Sequence, residues 1–273
     1  VLGARVPAKV GILFDWDNWW ALELCSGPTQ DMDYLNQVLH YYKAFFENHI
    51  SVDILKVTSD FGKYRVIVAP LLYMMKEGVA ERLEKFVKCG GTLITTYMSG
   101  LADENDRCIF GAYPGKLRKM LGIWVEETDA MYPDETNQMV IREWKGLNGT
   151  YVCGFLCDQI HTESAKTLAV YGEDFYEGSP CMTVNEYGKG KAYYIGTCPE
   201  AAFLRKFTDQ ICENNGIVPY IDAEDNIEVC VRENEKGVTV FLINHAEEDT
   251  IVNLDDRAFY DLLTGKTLTG RIT

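Results

Sequence analysis

No apolar run in this sequence approaches the roughly 18 residues a membrane-crossing helix needs, and no signal-peptide pattern opens it. Basic charge is scarce: 26 Lys and Arg stand against 41 Asp and Glu, a net charge of −15. Such a surface repels phosphate backbones and anionic lipid, which argues against nucleic acid and membranes as partners. There are nine cysteines but no C-x-x-C spacing, and the closest pair is Cys153 and Cys157. In a chain with a core of its own they read as buried thiols of a reducing compartment, so the cytoplasm is the expected location. Histidines are few and far apart (His40, His49, His161, His245), and no metal site is expected. The phosphate-cradling pattern G-x-G-x-x-G is missing from the glycine-bearing stretches "GEDFYEG" and "YGKGKA". The loop after "KVGILFD" is bulky and acidic, which opposes a phosphate, so no cofactor is expected. An initiator methionine is also lacking; the start at Val1-Leu2-Gly3 reads as an excised piece or a processed product.

What is present can build a core. The 273 residues are 47% hydrophobic and 12% aromatic, enough for one large domain or two modest ones. Up to about residue 125, short β-rich runs alternate with helical periodicity. "KVGILFD" (9–15), "VDILKV" (52–57), "RVIVAP" (65–70) and "TLITTY" (92–97) read as strands. Between Asp31 and Asn48, Leu35, Val38, Leu39, Tyr42 and Phe46 recur on one helical face. Val79, Leu83, Phe86 and Val87 mark a second helix, ended by Gly90-Gly91. Strands separated by helices imply crossovers and a parallel sheet covered on both faces. The expected class is α/β, a three-layer doubly wound flavodoxin-like or class I glutamine amidotransferase-like domain. From 122 to 198 the texture is strand-rich, with a hairpin signal "GKG" at 188–190. A helix is expected from Pro199 to about Asn214. Residues 221–273, with 12 acids against 5 bases, read as a small acidic all-β module beyond a boundary near "NNGIVP".

With that layout, the sequence resembles the non-catalytic half of a glycoside hydrolase family 42 β-galactosidase. The carriers are "FDWDNWWALE", "DYLNQVLHYYKAFF", "VIVAPLLYMM", "FVKCGGTLITTYMSGLADENDR", "YPGKLRKMLGIWVEE" and "YGEDFYEGSPCMTVNEYGKGKAYYIGT", in the family's order. The resemblance implies a division into residues 1–8 as a linker from a catalytic TIM barrel, 9–220 as a trimerisation domain, and 221–273 as a small β domain lacking its last strand. It also implies that the two catalytic glutamates lie in that barrel, outside this sequence. The expected partners are the barrel, neighbouring subunits of a homotrimer and, through the parent enzyme, a galactoside.

Nothing in the chain replaces the missing pair. Retaining glycosidases need two carboxyls about 5–5.5 Å apart, whereas Glu126-Glu127, Glu247-Glu248 and Asp255-Asp256 are sequence neighbours that a strand points to opposite faces. A cysteine-hydrolase reading needs a nucleophile on a strand-to-helix elbow. After "TLITT" the sequence has Tyr97-Met98-Ser99-Gly100, without cysteine and without G-x-S-x-G. Cys157 and His161 meet only if "CDQIH" is helical. A stand-alone amidotransferase-like hydrolase and a galactoside-binding module remain the alternatives.

The stretch "FDWDNWWALE" packs three tryptophans and three acids into ten positions at the end of a strand. Trp16, Trp19 and Trp20 share one helical face if a turn follows. That face either packs into the domain's own core, meets a neighbouring subunit or the barrel, or forms a carbohydrate platform. Open α/β sheets place sites at the carboxyl ends of strands, and Trp suits interfaces because it joins large apolar area to one N–H donor. The candidate interface is therefore Asp15, Trp16, Asp17, Asn18, Trp19 and Trp20, with Asp15 and Asp17 available to pair with bases across the contact.

Overall fold

The computed structural model describes residues 1–25, 27–111 and 113–273. In chain order its elements begin β1 (Val10–Leu13), α1 (Trp16–Leu24), α2 (Tyr34–Phe46), β2 (Val52–Leu55), β3 (Val66–Ala69), α3 (Val79–Lys88) and β4 (Thr92–Thr96). Next come α4 (Arg118–Leu121), β5 (Ile123–Ala130), β6 (Asn137–Trp144), β7 (Leu147–Thr162), β8 (Lys166–Tyr171), β9 (Pro180–Tyr187) and β10 (Gly190–Ile195). β11 (Thr197–Pro199) and α5 (Ala201–Asn214) follow, then β12 (Ile227–Asn234), β13 (Gly237–Asn244), β14 (Val252–Asn253), β15 (Phe259–Tyr260), β16 (Thr267–Leu268) and β17 (Arg271–Ile272).

One sheet organises everything before β12. Its order is β11-β7-β6-β8-β9-β10-β4-β3-β1-β2, with β5 paired to β7. The contacts β2-β1-β3-β4-β10 are parallel, and every contact from β10 outward is antiparallel. The expected parallel sheet thus covers only half of the observed one. The strand-rich stretch expected from 122 to 198, with its hairpin signal "GKG", adds antiparallel strands to the same sheet.

Burial explains the composition of the central strands. All four residues of β1 and all four of β3 are buried, as strands covered on both faces require. Val66 and Val68 join one core with α1, α2 and α5, while Ile67 and Ala69 join another with α3 and α4. The strand pleat divides them. A Cβ on Gly11 of β1 would stand 2.4 Å from Leu55 Cδ1 of β2, so the Leu55 side chain would have to shift to admit it.

Two helix readings need correction. In α2 the buried residues are Tyr34, Val38, Tyr41, Ala44 and Phe45, while Leu35 and Leu39 are exposed. Both faces of "YLNQVLHYYKAFF" are apolar, so periodicity could not choose between them. Pro199 ends β11 instead of opening α5, which starts at Ala201.

From Ile227 onward the described elements are short strands in three two-stranded ladders, β12-β13, β14-β17 and β15-β16. Ile221, Ile227, Val252 and Leu254 form their small core. Residues 1–8 do more than trail: Arg5 and Glu233 exchange both backbone hydrogen bonds, at 2.9 and 2.8 Å. Arg205 clasps Asp225, and His49 bonds the carbonyl of Ala223 at 2.7 Å, tying α2 and α5 to this segment. Among the described residues no helix is long and apolar enough to cross a membrane.

Candidate functional site

The carboxyl end of β1 turns directly into α1, and Asp15 makes the turn. Its backbone is extended, and its Oδ1 accepts the N–H groups of Asp17 and Asn18 at 3.0 and 3.1 Å. This is an N-cap, satisfying donors that the first helical turn leaves free. The Tyr34 hydroxyl accepts the Asp15 N–H at 3.3 Å from α2, and burial holds that phenol protonated well above its ordinary range.

Lys76, on the loop after β3, completes the cluster. Its Nζ lies 2.7 and 2.8 Å from the two oxygens of Asp15 and 2.6 Å from Asp17 Oδ2. Burial of the ammonium works against its charge, but the bonds to Asp15 and Asp17 outweigh that, and its pKa rises. The two acids expected to pair across a contact therefore have a base within the chain. Asp15, 9% exposed, is a capping residue and leaves the interface set.

Asn18 leaves it as well, being 0% exposed. Its amide nitrogen donates to Leu71 O at 3.0 Å, and its oxygen accepts Met74 N–H at 2.8 Å. One side chain thus supplies a backbone-like pair of bonds to the loop after β3, where Leu71 sits at a φ of +44°. In the sequence Asn18 groups with its neighbours in "FDWDNWWALE" as a candidate contact. Its role is inward.

The tryptophans divide. Trp16 and Trp20 are 57% and 53% exposed and share a face with exposed Leu24, at i, i+4 and i+8. Trp19 is half-buried and packs against the core. Phe14 links them: its ring lies 5.3 Å from Trp16, 5.8 Å from Trp19 and 5.5 Å from Tyr34. Trp16 in turn lies 5.2 Å from Trp19 and 6.2 Å from Trp20. The outward rings are braced by inward ones, which lowers the entropy lost when a partner covers them.

Among the described residues, the groups considered for competing chemistry are not brought together. Cys157 and His161 both lie on strand β7, the thiol buried and the imidazole exposed. A strand holds residues four apart well out of contact. Burial pushes the Cys157 thiol up and the Cys153 thiol up to about 12, the reverse of an activated nucleophile. Ser99 is buried, accepts the Leu72 N–H at 3.0 Å and meets Thr95 Oγ1 at 2.9 Å. The residues at positive φ on that elbow are Met98, at +61°, and Gly100, at +79°, and Ser99 is not among them. Glu126 reaches His161, at 2.6 Å, and Asp255 comes within 3.9 Å of Arg257. Among the described residues no cluster of His, Cys, Asp and Glu has the makings of a metal site.

One buried acid escaped the sequence reading. Asp158, on β7, accepts hydroxyl bonds from Tyr194 (2.5 Å), Thr128 (2.6 Å) and Tyr113 (3.1 Å). Burial raises its pKa to about 6 against the pull of those three donors. Its only signal was an acid embedded in the apolar run "YVCGFLCDQI".

The family model described as "Beta-galactosidase trimerisation domain" matches residues 8–218. The chain belongs to this family. The trimerisation-domain match takes in the whole Trp16–Trp20 site and stops just short of the C-terminal ladders. The chain is 46% identical over its full length to β-galactosidase BgaA of Planococcus sp. (strain 'SOS Orange'), covering 40% of that relative. It is 41% identical to β-galactosidase Pbg of Clostridium perfringens, with 97% of this chain and 39% of the relative aligned. Among solved structures, the β-galactosidase from Bacillus circulans sp. alkalophilus superposes with a TM-score of 0.98 at 44% identity, over 99% of this chain and 40% of that one. The chain therefore spans about 40% of the length of the β-galactosidases it matches, and it corresponds to their trimerisation region.

Proposed function

We propose that this trimerisation domain is the non-catalytic assembly module of a β-galactosidase that hydrolyses terminal non-reducing β-D-galactose residues with retention. The observation that carries the reading is the exposed, braced pair Trp16 and Trp20, inside the matched region and at the carboxyl end of the first strand. In this reading Trp16, Trp20 and the outer edge of Trp19 meet a neighbouring subunit of a homotrimer or the parent's catalytic barrel, with Asp17 at the rim. Residues 1–8 lead from the barrel and 221–273 form a separate β domain. The sheet is an elaborated flavodoxin-like, amidotransferase-like core: the parallel order β2-β1-β3-β4 supports it. The cysteines are not all buried as expected: Cys153, Cys157, Cys181 and Cys212 are, whereas Cys89 and Cys108 are exposed, but all nine are free thiols, which supports a reducing, cytoplasmic setting. In this reading the chain contributes assembly, while the galactoside is handled by the barrel.

A threefold ring needs a heterologous contact, two different patches meeting. Sedimentation of the 273-residue chain is expected to show concentration-dependent association that the double variant Trp16→Ala/Trp20→Ala weakens at least about tenfold, since interface tryptophans often cost about 2 kcal/mol when truncated. A strict monomer at high concentration would move the contact to the barrel. The purified chain is expected not to cleave an aryl β-galactoside; turnover surviving a contamination control would reject the assembly-only role. Binding of galactose by the chain, abolished in the same double variant, would favour the carbohydrate-platform reading instead.

A further inference from the structure

A second feature lies at the other end of the sheet, where β1 and β3 begin. Lys9 precedes β1 and Arg65 precedes β3. The Arg65 N–H donates to Lys9 O at 2.8 Å, and continuing the parallel register of Val10 with Val66 puts the two residues side by side on one face. Both line a cleft of about 390 Å³ whose opposite wall is the segment after α5 together with Arg257.

Two arginines in this cleft are oriented by backbone and aromatic groups. Arg65 Nη1 donates to Asn215 O and Gly216 O, each at 2.8 Å, capping carbonyls that α5 leaves free. Gly216 permits this approach: its φ is +61°, and a Cβ there would stand 3.2 Å from Nη1. Arg257 Nη1 donates to Tyr220 O at 2.7 Å, and its guanidinium lies 5.2 and 5.6 Å from the centres of the Tyr220 and Phe259 rings. Among the described residues Lys9 and Arg65 make no ion pair, and Arg257 has only Asp255 at 3.9 Å. Among the described residues no Asp or Glu lines the cleft, although acids outnumber bases 41 to 26 in the chain. Three basic residues, Lys9, Arg65 and Arg257, thus line one cleft of a chain in which acids are in excess.

We propose that this cleft binds a small phosphate-class oxyanion, held by Lys9, Arg65 and Arg257. A guanidinium presents parallel N–H donors that match phosphate oxygens, and fixing it beforehand removes part of the cost of binding. The cleft has room for an organic substituent, so free phosphate and a phosphate monoester share the recognition chemistry. Its walls come from the sheet and from the segment leading to β12, so an occupant links the two and stabilises their arrangement by mass action. The proposal stands independently of the assembly reading.

The test is calorimetric titration and thermal unfolding of the 273-residue chain with inorganic phosphate, and separately with glycerol phosphate, at ionic strength fixed with sodium chloride. Saturable binding with a rise in Tm is expected, and the tighter of the two probes identifies the source. Lys9→Gln removes a head group that makes no ion pair, and Arg257→Gln removes the opposite wall's charge. Each is expected to raise Kd about tenfold, the effect of one lost charge-assisted hydrogen bond. Unchanged Tm of Lys9→Gln without phosphate shows that its fold is intact. The proposal is overturned if neither probe binds, if chloride alone reproduces the Tm rise, or if Lys9→Gln binds phosphate as the wild type does.

Discussion

At the residue scale, neighbours in sequence have opposite fates. Trp16→Ala and Trp20→Ala remove rings that are more than half in water, so each is expected to change the unfolding free energy by no more than about 0.5 kcal/mol. Trp19→Ala removes a ring packed on Phe14 and the core and is expected to cost about 2 kcal/mol, below the ~3–5 of a fully buried aromatic. Chemical denaturation of the three variants separates these cases; equal losses would mean that exposure in the fold does not describe the site. Asp158 makes a prediction of opposite sign from most acids. Its folded pKa, about 6, lies above the unfolded value, so the folded chain holds the extra proton between about pH 4 and 6. Its contribution to stability therefore falls as pH rises through that window and is flat above it. Paired acids such as Asp225, held down by Arg205, contribute in the other direction. The difference between wild type and Asp158→Asn, measured by urea unfolding at pH 4.5 and 7, isolates the slope, and a pH-independent difference would show that Asp158 titrates normally.

At the element scale, α1 is short and is held by its surroundings more than by its own hydrogen bonds. Asp15 caps it, Lys76 neutralises the cap, and Asn18 fastens it to the loop after β3. Asn18→Ala leaves Leu71 O and the Met74 N–H in a buried setting without their side-chain partner. The expected loss is about 2–3 kcal/mol, with faster amide exchange at Met74 as the local signature. Unchanged exchange there would mean that the loop does not depend on this bond. The strands of the parallel half were legible in the sequence because buried runs such as "VGIL" and "VIVA" carry their own boundaries. The buried face of α2 was not, because two apolar faces compete and the choice is made by distant partners, among them the Asp15 turn at Tyr34 and α5. The pairing of Asp15 with Lys76 was equally illegible: the residues lie 61 positions apart, and no local pattern connects them.

At the scale of the whole molecule, charge sets the terms of association. Copies that each carry −15 repel one another, and the contact proposed at the aromatic patch would have to overcome that repulsion. Screening shortens its range from about 30 Å at 0.01 M salt to about 8 Å at 0.15 M. Self-association is therefore expected to strengthen with added sodium chloride, the reverse of a contact built on opposite charges. Sedimentation across that range checks it, and weakening with salt would point to ion pairs at the interface.

The sheet's order also bears on how the chain folds as it is made. β4 ends at Thr96, yet its second neighbour is β10, which begins at Gly190. Between them in the chain lie β5 to β9, the antiparallel half apart from β10 itself and the edge strand β11. A nascent chain that has emerged only to β4 has an open strand edge, and an open edge invites pairing with the wrong chain. Closing it requires a loop of nearly a hundred residues, and such non-local pairing slows folding. The intervening strands escape this delay because β8, β9 and β10 are joined by short connections and can assemble as a meander. They would then dock as a preformed block, with Tyr194 bringing its hydroxyl to Asp158 in the same event. The edge of β4 thus stays exposed until β10 has been made as well, and that interval is when a chaperone would matter most.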